Sequence, residues 1–242
     1  MAQLKGEAKQ QYVAGLFVRI SRRYDLMNTL MTAGMHYHWK RRTAQLAAQG
    51  LQGKALDIAT GTGDLALALE RRPEIVQSVG VDLLPEMLNL AQEKARARYN
   101  GNRPSFIVGD ALGLPFADNA FACATAGFSL RNMPDLPQAL AEMVRVVRPG
   151  GRVTTLELTP FTGGVRAKIF RFYFHRMVPL MGQLVAGERL AYTYLPQSVD
   201  YFLEADNLAH LFRQSGLVDV GYIKLGLGTV AIHFGRKPSP AT

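Results

Sequence analysis

The sequence predicts an α/β fold with a doubly wound, mostly parallel, seven-stranded sheet. A helical cap (1–50) precedes the sheet, and a helical insertion (160–196) follows the fifth strand, within one domain spanning 1–242. Three observations carry this prediction. Short apolar runs alternate with helical stretches, which is the pattern of parallel strands joined by crossover helices. A glycine-rich turn joins the first strand to the first crossover helix. The length of 242 residues, 48% of them hydrophobic, suits a single sizeable domain.

In chain order, the first forty-odd residues read as helical. Tyr24-Asp25-Leu26-Met27-Asn28 interrupts them before a second amphipathic stretch around His36 to Leu46. Strands follow at ALDIA (55–59), SVGVD (78–82), SFIVGD (105–110), FACATAGF (121–128) and GRVTTLEL (151–158), with helices from 64, over 86–98 and over 136–147. Pro85 suits a first helical turn, and Pro149-Gly150-Gly151 ends a helix and turns into the fifth strand. After the insertion come a helix at 205–215 and strands near 217–225 and 228–235.

The run LDIATGTGDLA (56–66) is a buried strand, a tight turn and a helix start. Gly61 and Gly63 let the chain reverse and bring a ligand against backbone. Asp82 ends the second strand nineteen positions after Gly63, the distance at which a βαβ unit brings an acid to a ribose hydroxyl pair. A nucleoside-bearing ligand on a Rossmann-like sheet is therefore expected. Asp57 and Asp64 bracket the turn, where two carboxylates repel a pyrophosphate and can receive the positive ammonium and sulfonium of S-adenosylmethionine. The bland alternative is that Asp64 caps the next helix and Asp57 bonds nearby backbone. Asp110 closes the third strand, where its carboxylate can accept from an adenine amino group while Ala111 donates its backbone N–H; its alternative is an ordinary turn residue.

Composition sets the outer limits. The lone Cys123 allows no internal disulfide and fits a reducing, cytoplasmic compartment. Residues 1–20 hold only the apolar run Val13 to Val18, too short for a signal-peptide core, and no stretch approaches the ~20 apolar residues of a membrane span. The net charge of +9 suits nucleic acid, an anionic membrane face or an acidic substrate, and by itself selects none of them.

The sequence resembles the ubiquinone/menaquinone biosynthesis C-methyltransferases, a branch of the class I S-adenosylmethionine-dependent methyltransferases, over nearly its whole length. The residues that carry the resemblance are YDLMN (24–28), GMHYHWK (34–40), LDIATGTGD (56–64), LPFADNAF (114–121), LRN (130–132), RPGGR (148–152) and AYTYLPQSV (191–199). It implies methyl transfer from S-adenosylmethionine to a ring carbon of a polyprenylated quinol, demethylmenaquinol or the corresponding benzoquinol. It also implies donor binding by Thr62, Asp82, Asp110 and Ala111, beside the turn residues Asp57, Gly61 and Gly63. The chain departs from the family at Gly127, where Ser is frequent, leaving only backbone to serve there, and at Phe121-Ala122, where Phe-Asp is usual.

The chemistry points to Arg131 and Asn132 as catalytic candidates. A quinol hydroxyl resembles tyrosine, pKa about 10, so only roughly one in a thousand is ionised at pH 7. An arginine against the developing oxyanion lowers that pKa by about 1 to 3 units, with Asn132 orienting the oxygen or a water. The alternative for Arg131 is a surface arginine paired to Asp135. Tyr24, Tyr192 and Tyr194 are candidates to line the acceptor pocket or to fill the core. His36, His38 and His175 lack metal-ligand spacing, so no metal is expected.

From Phe161 to Gly187 there is no acid, and Arg166, Lys168, Arg171 and Arg176 alternate with Phe170, Phe172, Tyr173 and Phe174. Helical spacing puts Phe170, Phe174 and Met177 on one face and Lys168, Arg171 and His175 on the other. This fits transient contact with the inner face of the membrane. It fits equally a helix packed on the sheet or on a second copy of the chain in a homodimer. A nucleic-acid binder is the rival class, but no RNP, KH or zinc signature accompanies the basic balance, so no nucleic-acid partner is expected.

Overall fold

The computed structural model describes residues 4–99, 103–161 and 163–239, without the side chain of Arg166. Its seven strands are β1 (Gly53–Ile58), β2 (Ile75–Asp82), β3 (Ser105–Val108), β4 (Phe121–Gly127), β5 (Val147–Leu158), β6 (Val218–Leu225) and β7 (Val230–Arg236). They lie in the order β3-β2-β1-β4-β5-β7-β6. The first five are parallel, and β7 is antiparallel to both its neighbours.

The two-residue period of the strands sends alternate side chains to opposite helical layers. Leu56, Ile58, Ala124 and Ala126 pack with Leu140 and Met143 of α6 (Leu136–Val146) and with Phe212 of α10 (Ala205–Gln214). Ala55 and Cys123 pack on the other face, with Ala44 and Ala47 of α3 (Met35–Ala48) and Leu65 and Leu69 of α4 (Asp64–Glu70). The sheet is thus doubly wound, as expected. The remaining crossover helix, α5 (Pro85–Arg98), has proline in its first turn.

Three boundaries differ from expectation, the first being that of β3, which ends at Val108 and leaves Asp110 in the loop beyond it. Tyr24 to Asn28 does not break the cap but opens α2 (Tyr24–Thr32), which follows α1 (Gly6–Ile20) through a single 3-10 turn. Met27 is fully buried and Asp25 is tied to distant side chains, so tertiary contacts hold this helix. Pro149-Gly150 lies within β5, in a register break between the pairs Phe121–Val147 and Cys123–Arg152, with Gly150 at φ +76.

The insertion forms α7 (Gly164–Phe172), a wide turn, α8 (Val178–Met181) and a second wide turn before α9 (Arg189–Asp200). Gly182 in the second turn lies against the Tyr192 ring, where a Cβ would come within 2.2 Å, so only glycine fits. Cap and insertion share one core of their own: Val13, Leu16, Ile20 and Met27 pack with Phe174, Val178, Tyr192 and Tyr194. Phe170 and Phe174 stack with centroids 5.1 Å apart, and Phe170 lines the acceptor-side cavity described below. Of the apolar face read from helical spacing, Phe170 and Phe174 are therefore used internally, as the packed-helix alternative had it, while Met177 is exposed. The exposed side carries Val165, Ile169 and Phe172 beside Lys168 and Arg171, while His175 pairs with Asp200 at 3.1 Å.

Candidate active site

The loops after β1 to β4 bound two adjoining cavities. The smaller, about 130 Å³, is lined by Gly61, Asp82, Gly109, Asp110, Ala111 and Gly127, with Gln10, Val13 and Ala14 of α1 across from them. The larger, about 670 Å³, is walled mostly by apolar residues of cap, insertion and the β6–β7 turn, among them Leu16, Met35, Trp39, Ile169, Phe170 and Leu227. Phe17, Tyr24, Phe128 and Asn132 belong to both. Phe128 holds the junction at φ +58, a conformation costly for a non-glycine residue and concentrated at functional sites.

In the small cavity Asp82 accepts from the N–H of Gly61 at 2.7 Å and of Leu84 at 3.0 Å. Burial pushes its carboxyl above the usual range, against the pull of those bonds. Asp110 accepts from Leu112 N–H, and its other oxygen accepts from the Gln10 side-chain amide at 2.7 Å. Gln10 thus occupies the bond that the sequence reserves for an adenine amino group. A cavity of 130 Å³ is below the ~300 Å³ of ordinary ligand pockets, so a nucleoside needs α1 to give way. The acid ending β2 and the one in the loop after β3 suit a ribose and an adenine, and Gly127, with no side chain to offer, lines the same space.

The structure corrects the electrostatic reading of the glycine turn. Asp64 does not face the cavity: its two oxygens accept from Lys40 at 2.9 Å and Lys94 at 2.8 Å. Burial alone would raise its pKa, but the two ammonium groups outweigh burial and hold it well below the carboxylate range. Thr62 also turns away, donating to Asp25 and accepting from Lys94. Gly63, at φ +82, is the close-packing glycine: a Cβ there would meet Ala91 at 2.8 Å and the Phe106 ring at 3.0 Å. Asp57 lies behind the turn, accepting from the hydroxyls of Thr60 (2.6 Å) and Thr125 (2.8 Å) and from Ala66 N–H. Of the turn residues named from sequence, Gly61 alone lines the cavity, so the choice of an onium ligand over a diphosphate does not rest on Asp57 and Asp64.

Burial pushes the Asp57 pKa up to about 6, with the Thr60 and Thr125 bonds opposing it. A folded-state value above the unfolded ~3.9 gives a contribution that is present below about pH 4 and is lost as pH rises through 6. Asp57→Asn is expected to lose less stability than the parent between pH 4 and pH 7, by up to about 3 kcal/mol. Urea unfolding at the two pH values checks this; equal losses in both proteins would refute it.

On a 3-10 turn at Leu130–Asn132, Asn132 lines both cavities and Arg131 the larger alone. Arg131 is not a surface residue and does not pair with Asp135, whose carboxylate instead caps α6 through Gln138 N–H. Its Nη1 donates to Glu157 at 2.5 Å and to the Phe128 carbonyl at 2.6 Å, and its Nε donates to Ser198 at 3.2 Å. Among the described residues its Nη2 donates to none. Asn132 accepts from the Tyr194 hydroxyl at 3.2 Å, and Tyr24, Tyr192 and Tyr194 all line the large cavity.

Some residues of the site were not singled out from sequence. His36 lines the large cavity, and burial, aided by Lys40, lowers its pKa to about 4, so its imidazole is neutral at pH 7. Glu157 had a legible signal, a lone acid inside the apolar strand GRVTTLEL, which burial obliges to find a partner. Gln10 had none. Among the described residues no three His, Cys, Asp or Glu side chains gather as a metal site would require.

The chain is 42% identical over 223 residues to a demethylmenaquinone methyltransferase of Thermus thermophilus, covering 92% of this chain and all of the relative. It is 43% identical to one from Roseiflexus castenholzii, covering 96% and 95% of the two chains. Against a ubiquinone/menaquinone biosynthesis C-methyltransferase of Desulfotalea psychrophila it is 42% identical, covering 93% and 90%. Among solved structures, a SAM-dependent methyltransferase from Thermotoga maritima superposes with TM-score 0.65 at 17% identity, covering 93% of this chain and 99% of that one. The [4+2]-cyclase SpnF gives 0.61 at 22% identity, over 82% and 80%, so the fold is shared beyond one chemistry. The ubiE/COQ5 methyltransferase family matches residues 5–237, and the chain belongs to that family.

Proposed function

We propose that this enzyme transfers a methyl group from S-adenosylmethionine to a ring carbon of a polyprenylated quinol, converting demethylmenaquinol to menaquinol. The observation that carries this reading is the pairing of cavities: a small one edged by Asp82 and Asp110 opens, past Asn132 and Phe128, onto a large apolar one holding Arg131. The volume of 670 Å³ lies in the upper half of the ligand-pocket range and suits a ring with part of an isoprenoid chain. The names borne by the relatives favour the naphthoquinol ring.

In this reading Asp82 receives the ribose hydroxyls, and Asp110 releases Gln10 to take the adenine amino group. S-Adenosylmethionine, when bound, supplies a methyl group on a positively charged sulfur. The acceptor ring enters from the large cavity, with a hydroxyl against Nη2 of Arg131 and beside Asn132. Arg131 favours the quinolate, whose charge activates the neighbouring ring carbon. Phe17, Tyr24 and Phe128 hold the ring at the junction; alignment of this kind is worth about 7 to 11 kcal/mol, more than the ~1.4 to 4 kcal/mol of the pKa shift.

The test is direct. Enzyme with methyl-labelled donor and reduced demethylmenaquinone should give labelled menaquinol by mass spectrometry. A matching benzoquinol tests the second ring; label on neither would end the proposal.

The exposed side of α7 supports transient attachment to an anionic bilayer at the cytoplasmic face, next to a cavity mouth where Met35, Ile169 and Leu227 are exposed. No helix among the described residues is long and apolar enough to cross a membrane. Each basic residue near an anionic surface contributes about 1 kcal/mol. Replacing Lys168 and Arg171 together by glutamate is therefore expected to weaken co-sedimentation with anionic vesicles at least about tenfold. Binding indifferent to these changes and to lipid charge would exclude the surface.

A further inference from the structure

Glu157, the penultimate residue of β5, has 1% of its surface exposed and lines neither cavity, so it is placed to act through Arg131. One of its oxygens takes the Arg131 Nη1 hydrogen bond and the Leu158 N–H; the other faces the Arg131 backbone N–H at 3.3 Å. With Ser198, from α9, holding Nε, and the Phe128 carbonyl sharing Nη1, Nη2 is the end of the guanidinium left for the acceptor. Two charges buried at one spot cancel, so an arginine can stand beside an apolar cavity without water. The same cancellation limits how strongly Arg131 attracts an oxyanion.

We propose that Glu157 is the positioning residue for Arg131: it aims Nη2 into the acceptor cavity, and its charge sets the pH range in which the acceptor ionises. The inference rests on the proposed quinol reading. The other ionisable groups around the pair are Lys9 and Tyr12 of α1 and Tyr194 of α9, with His36, Tyr24, Tyr173 and Tyr192 elsewhere on the cavity wall. All are retained in the variants below, so a shift in profile reports on position 157.

Glu157→Gln keeps the size and one acceptor oxygen but removes the negative charge. The acid-side limb of kcat should move to lower pH by about one to two units, because a bound quinolate no longer faces a carboxylate behind the guanidinium. Glu157→Asp keeps the charge and draws the guanidinium back; its limb should stay in place while its plateau falls several-fold. Coincident limbs for Glu157→Gln and the parent, or an Asp variant with an unchanged plateau, would overturn the proposal. The second comparison decides alone if the Gln variant does not fold.

A readout without turnover separates this idea from the function itself. A naphthol whose ionised form absorbs at longer wavelength, bound in the large cavity, should titrate at lower pH in Glu157→Gln than in the parent. That shift together with no methylated quinol would sink the quinol reading and spare Glu157. Methylated quinol with an unmoved naphthol titration would do the opposite.

Discussion

Arg131→Ala is expected to lower turnover roughly 100- to 1,000-fold, the usual effect of removing one donor that meets a developing oxyanion. Donor affinity should stay within about twofold, because the acids of the small cavity are Asp82 and Asp110, and Arg131 lines only the large one. The substitution also strands Glu157, and an unpaired buried charge costs about 3–5 kcal/mol, so kinetics belong at a temperature where the variant is folded. Arg131→Lys separates charge from geometry: an ammonium keeps the charge but lacks the planar fork that meets Glu157, Ser198 and the acceptor together. It should recover stability more fully than turnover. Calorimetry with S-adenosylhomocysteine, beside single-turnover assays, checks both; lost donor affinity with unchanged turnover would refute the role.

The second large effect concerns stability. Asp64→Ala leaves Lys40, deep in α3, without its carboxylate, and deprives Lys94 of one of two. Burial penalises the Lys40 ammonium, yet Asp64, with Tyr24 and Asp25, outweighs it and keeps its pKa above the ordinary value. Removing that partner is expected to destabilise the fold by about 3–5 kcal/mol at pH 7. The sign with pH follows from the depressed pKa of Asp64 in the folded state. Its contribution is complete above the unfolded value of ~3.9 and is lost as pH falls below that. The gap between parent and variant should therefore narrow on going from pH 7 to pH 3. Urea midpoints at both values test this, and a gap independent of pH would contradict it.

What the sequence conveyed and what it withheld divide along range. The turn at Gly61 and Gly63, the acid at Asp82 and the strand alternation were legible because each is set within one βαβ unit. The partners of Asp64 are 24 and 30 residues away, and that of Arg131 is 26 residues away, so no local pattern could assign them. Reading Asp57 and Asp64 as ligands for an onium group followed from proximity in the chain, whereas in the fold lysines and hydroxyls reach them first. The insertion was legible only in part. Its aromatic stripe was visible, but only the cap packed against it makes Phe170 and Phe174 interior and leaves Phe172 outside. The motif YDLMN read as a break because its helix is short and held by Met27 and Asp25 from outside.

Helix α1 contributes Gln10, Val13 and Ala14 to the small cavity, Leu16 and Ile20 to the large one, and Phe17 to both. One helix therefore forms part of the wall of both cavities, so any displacement of it that widens the first also reshapes the second.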